Sequence, residues 1–99
     1  MASALNIVVE HEPLRHRFVA HIDDAIAVLE YTEAGEHTLD YYRTYVPQSL
    51  RGKGIASALA ASALEHALER GFGVVPSCPF VAKFIERHPK YHALRRPRA

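Results

Sequence analysis

The spacing of apolar residues changes once along the chain, near its middle, and this change limits the folds that the chain can adopt. Before Pro47, short runs alternate between apolar and polar residues, as is typical of strands with one buried face. After Pro47, apolar residues recur every three to four positions, which is typical of an amphipathic helix. A length of 99 residues favours one domain. We therefore expect a single compact domain over residues 1–99, in which the N-terminal half forms most of a sheet and the C-terminal half supplies the helices.

The first half contains four strand-like segments separated by short turns. The segments cover residues 6–12, 15–22, 25–33 and 37–46. Asp23-Asp24 and Ala34-Gly35-Glu36 are typical turn sequences, and Pro47 ends the last segment. Because the turns are short, consecutive segments are expected to pair as an antiparallel meander.

The second half predicts a helix, a strand and a second helix. The first helix is expected over 51–70, with Gly71 at the position of a C-terminal glycine. A buried strand is expected over 72–76 and a helix over 79–88, the latter with Phe80, Phe84 and Ile85 toward the core. The predicted order is β-β-β-β-α-β-α, an α/β (α+β) fold with a mixed, mostly antiparallel sheet. The strands flanking the first helix are expected to be parallel.

Bulk properties argue against several classes of protein. The net charge of only +1 argues against nucleic-acid binding, and a single cysteine allows no internal disulfide. We expect no membrane span, because no apolar run approaches about twenty residues. The N-terminal residues lack the pattern of a signal peptide, so we expect a cytoplasmic protein. Residues 93–99 are rich in arginine and are expected to form a frayed basic tail.

The sequence Arg51-Gly52-Lys53-Gly54 stands where the first helix is expected to begin. Backbone N–H groups at a helix N-terminus lack partners and carry partial positive charge, and glycines let an anion approach them. This arrangement suits a pyrophosphate. The turn could equally use its glycines only for their backbone conformations. Neither the P-loop pattern nor the dinucleotide pattern fits these residues.

The segment Arg51-Gly52-Lys53-Gly54-Ile55-Ala56 resembles the acetyl-CoA signature of the GNAT acetyltransferases, Arg/Gln-x-x-Gly-x-Gly/Ala. Together with the later VVPSCPFVAKFIERHPKY, it resembles a small single-domain branch of that superfamily. The resemblance implies a GNAT-like fold that binds acetyl-CoA and acetylates an amine acceptor. It places the pyrophosphate on the N–H groups from Arg51 to Ala56. It places the pantetheine arm between the strand ending at Val46 and the strand ending at Val75.

The single cysteine, Cys78, precedes Pro79 and is expected to cap the second helix, where free N–H groups favour the thiolate. It could instead simply fill a buried corner. The resemblance implies a catalytic cysteine at this position. Two roles stay open: Cys78 could carry the acetyl group as a thioester, or it could contact the thioester and protonate the leaving thiolate.

Acetyl transfer from a thioester to a protonated amine requires a proton acceptor. The candidates are His88, which we favour, and then Tyr91, His37 and Asp40. A metal site is not expected, because histidines five residues apart on extended chain point to alternate sides. The alternative to an enzyme is a noncatalytic module that binds CoA, a protein or RNA. Formation of a homodimer is left open.

Overall fold

A five-stranded sheet forms the frame of the fold. The structure is a computed structural model that describes residues 7–97. The strands are β1 (Val9–Glu12), β2 (Arg17–Ile22), β3 (Ala25–Glu33), β4 (Thr38–Tyr45) and β5 (Gly73–Val75), and they lie in this order across the sheet. Neighbours from β1 to β4 are antiparallel, whereas β4 and β5 are parallel. The predicted fold class and order of elements are therefore confirmed.

Two α-helices and three short 3-10 segments complete the part of the chain that the structure describes. They are α1 (Ile55–Arg70), α2 (Pro79–Arg87) and the 3-10 segments Pro13–Arg15, Gln48–Leu50 and Pro89–Leu94. Helix α1 begins four residues later than the sequence predicted. The reason is that Gly52 and Gly54 have positive φ angles, 79° and 82°, which are not helical.

The core lies between the sheet and α1. On the sheet, β2, β3 and β4 contribute Phe18, Leu29 and Tyr41, all at most 2% exposed. On the helix, small residues alternate with leucines, so that the backbone of α1 lies close to the strands. The buried residues of α1 are Ile55, Leu59, Ala60, Ala63, Leu64 and Ala67.

The face that α2 packs against the core only partly matches the predicted one. Its buried residues are Val81 and Ile85, so the prediction was right for Ile85. Phe84 is half-buried and packs against the core, as predicted, whereas Phe80 is 38% exposed, so the prediction was wrong for Phe80. The prediction treated every large apolar residue as core, whereas helical spacing allows only one stripe to face the sheet.

The C-terminal residues that the structure describes are not frayed. Leu94 is buried, Arg95 forms a parallel bridge with Val74, and the Arg96 N–H donates to the Val74 carbonyl at 2.8 Å. Residues 93–97 thus extend the sheet beyond β5 by one pair, because an apolar residue anchors them to the core. Residues 98 and 99 of the expected tail lie outside the described residues.

Candidate functional site

A cleft opens where β4 and β5 separate. The last β4–β5 pair is Asp40 with Val75, and the Cys78 N–H donates to the Tyr41 carbonyl at 2.9 Å. Beyond this point β4 continues to Tyr45, paired with β3 on its other side. A bulge between Tyr41 and Arg43 turns this end of the strand. The β5 side of β4 therefore has backbone groups without a strand partner among residues 7–97.

The glycine-rich turn lies beside this cleft and has free N–H groups. Before the turn, the Arg51 N–H donates to the Gln48 carbonyl at 3.2 Å, and after it the Ala58 N–H donates to the Gly54 carbonyl at 3.0 Å. The intervening N–H groups, 52–57, have no backbone partner within the described part of the chain. A Cβ added at Gly52 or Gly54 would meet nothing within 4 Å. The glycines are thus required by their positive φ angles.

Two adjoining cavities fill the space between the turn, β4 and α2. The first, of about 250 Å³, is lined by Val46, Leu50, Arg51, Gly52, Gly54, Ile55, Ala56, Ser57 and Phe80. The second, of about 290 Å³, shares four of these residues and reaches Thr44 and Tyr45. Every residue that the sequence proposed for the cofactor lines the first cavity except Lys53, which is exposed beside it.

Arg51 connects the turn to β4. Its Nε donates to the Val46 carbonyl at 2.9 Å, and both residues line both cavities. This bond holds the guanidinium at the boundary between the two cavities. Arg51 and the N-terminus of α1 together make this wall of the cleft electropositive.

Cys78 lies next to the second cavity rather than in it. The residue is the N-cap of α2 and only 5% exposed. Its Sγ lies 3.4 Å from the Oγ1 of Thr44, a cavity residue. The thiol is thus in contact with a residue that lines the cavity.

The structure does not bring His88 and Cys78 together. They flank opposite ends of α2, which separates them by about 15 Å along the helix axis. The His88 Nδ1–H donates to the Phe84 carbonyl at 2.7 Å, and the His88 ring stacks on Phe84 with centroids 4.0 Å apart. These contacts hold the exposed His88 ring against Phe84 at the C-terminal end of α2.

Two of the other candidate bases, Tyr91 and His37, line neither of the first two cavities. The Tyr91 hydroxyl is buried and donates to Glu65 Oε2 at 2.7 Å. Burial and this bond raise the pKa of Tyr91 to about 12, which keeps the phenol neutral. His37 is exposed and precedes β4, so it lies at the end of the strand away from the cleft.

Asp40 is the candidate base nearest to the cleft. Its Oδ1 is buried without a hydrogen-bond partner among residues 7–97, and so is the Oγ of Ser77. Asp40 pairs with Val75, and the Ser77 N–H donates to the Val75 carbonyl at 3.1 Å. Both unsatisfied atoms thus belong to residues beside the point where β4 and β5 separate. Buried polar groups without partners are uncommon in proteins and mark positions that a ligand or water can satisfy.

Sequence reasoning missed a third cavity, of about 170 Å³. It is lined by Ser57, Phe80, Lys83, Phe84, Arg87 and His88. Ser57 and Phe80 also line the first cavity, so the two are continuous. The spacing of four residues between Phe80 and Phe84, and again between Lys83 and Arg87, was a signal for this surface.

A fourth concavity, of about 380 Å³, lies toward the other end of α1. His11 and His66 line it, with ring centroids 4.4 Å apart, and His11 Nε2 is 2.6 Å from the Tyr31 hydroxyl. Burial, first of all, lowers the pKa of both histidines. Over residues 7–97 no three His, Cys, Asp or Glu side chains form a group able to hold a metal ion. Across the same residues, every helix is too short or too polar to cross a membrane.

Comparisons with known proteins agree with this fold. A family model described as "GCN5-related N-acetyl-transferase" matches residues 17–94. The chain is 32% identical over 98 residues to Protein NATD1 of Xenopus tropicalis, covering 97% of this chain and 90% of that protein. It is 33% identical over 92 residues to human Protein NATD1, covering 91% of this chain and 81% of the relative.

A solved structure resembles the whole chain. It is the NMR solution structure of a GCN5-like protein from Staphylococcus aureus, with a TM-score of 0.72. The match covers 96% of this chain and 93% of that one at 22% sequence identity. At this identity the likeness shows a shared fold.

Proposed function

Because this chain belongs to the GCN5-related N-acetyltransferase family, we propose that it binds acetyl-CoA in the β4–β5 cleft and transfers the acetyl group to a primary amine. One observation carries this proposal: the row of unpaired N–H groups from Gly52 to Ser57, which faces a cavity of about 250 Å³. Such a row at the start of a long helix binds the charged oxygens of a pyrophosphate. Arg51 and Lys53 add positive charge beside it.

The free edge of β4 suits the next part of the ligand. Pantetheine contains amide groups, and an unpaired strand edge offers N–H and C=O groups to such amides. The edge runs from Tyr42 to Tyr45 and borders the second cavity. When bound there, acetyl-CoA would supply an acetyl group activated as a thioester. With the pyrophosphate at the glycine-rich turn and the pantetheine along β4, the thioester would lie near Thr44 and Cys78.

We assign Cys78 the role of the acid that protonates the leaving thiolate. The Cys78 thiol would donate its proton toward the thioester sulfur, while the amine nitrogen forms its bond to the acetyl carbon and the C–S bond breaks. Thr44 would hold the thiol in place through the 3.4 Å contact. The other role, in which Cys78 itself carries the acetyl group, predicts an acetylated protein that mass spectrometry detects.

We assign Asp40 the role of the base that accepts the proton from the amine. An ammonium acceptor entering beside β5 would meet the partnerless Oδ1 of Asp40 and the Oγ of Ser77. A carboxylate at this point attracts the ammonium and accepts its proton, directly or through one water. His88 is not part of this proposal, because α2 holds it about 15 Å along the helix from Cys78.

An NMR titration with CoA tests the binding proposal. The backbone amide signals of residues 52–57 should shift, whereas those of Gly71, at the other end of α1, should stay in place. Unmoved signals from residues 52–57 at saturating CoA would contradict the proposal.

A turnover assay over a panel of amines tests the chemistry. Cys78→Ala should lower the rate at least about tenfold while CoA affinity is retained, because it removes a proton donor from the transition state. Thr44→Val should lower the rate less than Cys78→Ala does. If Thr44→Val kept the wild-type rate, Thr44 would not position the thiol. Tight CoA binding without turnover of any amine would instead support a noncatalytic CoA-binding module.

A further inference from the structure

The fourth concavity lies where the edge strand β1 meets α1. Within the described chain, β1 has a strand partner on one side only, β2, with which it forms four residue pairs. Val9 and His11 of β1 line the concavity together with residues of α1. Glu10 and Glu12 interact with side chains of β2 on the opposite face of the sheet. The ladder to β2 and the contacts of Val9 and His11 therefore hold β1 in place.

The His11 ring makes the contacts that tie β1 to the rest of the fold. It stacks on Phe18 of β2, with ring centroids 4.3 Å apart and an interplanar angle of 10°. Its Nε2 lies 2.6 Å from the Tyr31 hydroxyl of β3. The His66 ring of α1 meets it edge-on, with centroids 4.4 Å apart. One imidazole thus links β1 to three other elements.

The surroundings of His11 and His66 disfavour a positive charge on either ring. Burial is the main cause that lowers the pKa of His11, followed by repulsion from His66 and from Arg70. Burial and then Arg70 lower the pKa of His66, while Glu69 acts in the opposite direction. Because the two rings are in contact, a proton on one makes a proton on the other less favourable. The closed arrangement therefore suits two neutral imidazoles.

The carboxylates at the concavity are too few to neutralise two imidazoliums. Glu65 and Glu69 both line it. Glu65 already binds the Lys90 ammonium and accepts a hydrogen bond from the Tyr91 hydroxyl. Within residues 7–97 this leaves Glu69 as the carboxylate of the concavity without an ion-pair partner. One carboxylate facing two protonated rings and Arg70 leaves the group with a net positive charge.

The titratable groups farther out add no negative charge. Burial, and then Glu33, raise the pKa of Tyr31, and burial raises the pKa of Tyr41 well above its usual range, so both phenols stay neutral. The next histidines, His16 and His37, contact aromatic neighbours of this cluster. Their protonation would only add positive charge.

We propose that β1 is a pH-dependent switch: when His11 and His66 take up protons, β1 detaches from α1 and β2, while β2, β3 and β4 remain paired. Histidine suits this role because it changes charge near neutral pH. A short edge strand suits it because such segments open locally at a lower cost than the rest of a fold. Detachment lets both imidazoliums reach water and uncovers the ring of Phe18, on which His11 stacks in the closed state.

Hydrogen exchange measured by NMR at pH 7.5 and pH 5.5 tests the switch. After correction for intrinsic exchange rates, the amides that join β1 to β2 should lose protection at least about threefold more than those that join β3 to β4. The reason is that the detached state binds protons more tightly than the closed state, so acid favours it. Equal losses in the two sets would show that acid acts only on global unfolding and would overturn the proposal.

Two histidine variants test the assignment to this pair. His66→Gln removes one of the two titrating rings and should abolish most of the additional loss at β1. His21→Gln is the matched control, since His21 also lies beside β1 but on the opposite face, with its Nε2 3.9 Å from Glu10 Oε1. Acid strengthens that ion pair, so the control should keep the full additional loss.

The ratio between the two sets of amides is compared within each variant, so a general loss of stability cancels. His11→Gln gives a second test with the same expected result as His66→Gln. An additional loss that persists in both variants, or that disappears in His21→Gln, would overturn the assignment to His11 and His66. The switch does not depend on the proposed function, because the cleft lies between β4 and β5 on the other side of the sheet.

Discussion

The two ends of α1 differ in how their backbone groups are satisfied. At the C-terminal end, the Gly71 N–H donates to the carbonyls of Ala67 and Leu68, and the Phe72 N–H donates to the Ala67 carbonyl at 2.9 Å. At the N-terminal end, the N–H groups from Gly52 to Ser57 have no such partner in the described chain. About 25 Å of helix separates these two ends. We call them the closed end and the open end.

The side chains around the two ends differ in the same way. Near the closed end, one connected aromatic cluster joins four rings of the sheet to one ring of α1: His11, Phe18, Tyr31 and Tyr41 on the strands and His66 on the helix. The open end has exposed glycines and the partly exposed ring of Phe80. The difference teaches that stability and the proposed binding depend on opposite ends of the helix: contacts near the closed end stabilise the fold, and the proposed function assigns the unsatisfied groups at the open end to a ligand.

The largest expected effect comes from removing one phenylalanine near each end. Phe18 is 2% exposed and Phe80 is 38% exposed. Phe18→Ala should lower the free energy of unfolding by about 3–5 kcal/mol, because it leaves a cavity in the core. Phe80→Ala should change it far less and should weaken CoA binding. Urea denaturation and calorimetry measure both quantities, and similar stability losses in the two variants would break the comparison.

Two glycines allow a matched test of the caps. Gly54 and Gly71 flank α1 with φ angles of 82° and 72°, and both have open space where a Cβ would lie. Replacing either with alanine should cost about 1–2 kcal/mol of stability, because an L-residue is strained there. Only Gly54→Ala should also reduce CoA affinity. Equal affinities in the two variants would remove the functional distinction between the ends.

A smaller effect is expected for Tyr41→Phe. The Tyr41 hydroxyl is buried and donates to the Ala63 carbonyl at 2.6 Å, and burial raises the pKa of Tyr41 well above its usual range. Loss of this bond should lower the free energy of unfolding by about 1 kcal/mol. Affinity for CoA should be unchanged, since the residue serves the core, and an altered affinity would show that the core and the cleft are coupled.

The smallest effect is a dependence of stability on pH. The folded protein lowers the pKa of His11 and His66, mainly by burial, from the ordinary histidine value of 6.5. Protons therefore bind more tightly to the unfolded chain, so stability should be constant above pH 6.5 and decline as the pH falls below it. Melting temperatures between pH 8 and 5 measure this decline. The decline should be smaller in His66→Gln, and an equal decline would assign it to other groups.

Local signals predicted the order of elements and the glycine-rich turn. Pro47 and Gly71 mark the ends of β4 and α1, and the residues around Gly52 and Gly54 are contiguous in the chain. Features that depend on distant contacts could not be predicted. His66 meets His11 only because α1 crosses β1, and no spacing in the sequence reports that contact.

Two predictions for the C-terminal half were wrong because they relied on composition rather than on packing. The arginines after Leu94 suggested a solvated tail, but Leu94 itself is buried and holds the following residues against β5. Phe80 was assigned to the core because it is large and apolar. The core side of α2 is filled by Val81 and Ile85, which leaves Phe80 at the cleft.

The bridge between Arg95 and Val74 has a consequence for aggregation. Unpaired edge strands are the places where sheets of separate molecules join. Here the β5 edge is partly covered by residues 95 and 96, and Gly73 admits the Arg96 side chain, whose Cγ would lie 2.6 Å from any added Cβ. The opposite edge, β1, is four residues long and carries Glu10 and Glu12. Within residues 7–97, neither border of the sheet offers a long strand edge free of charged side chains, the kind of edge on which fibrils assemble.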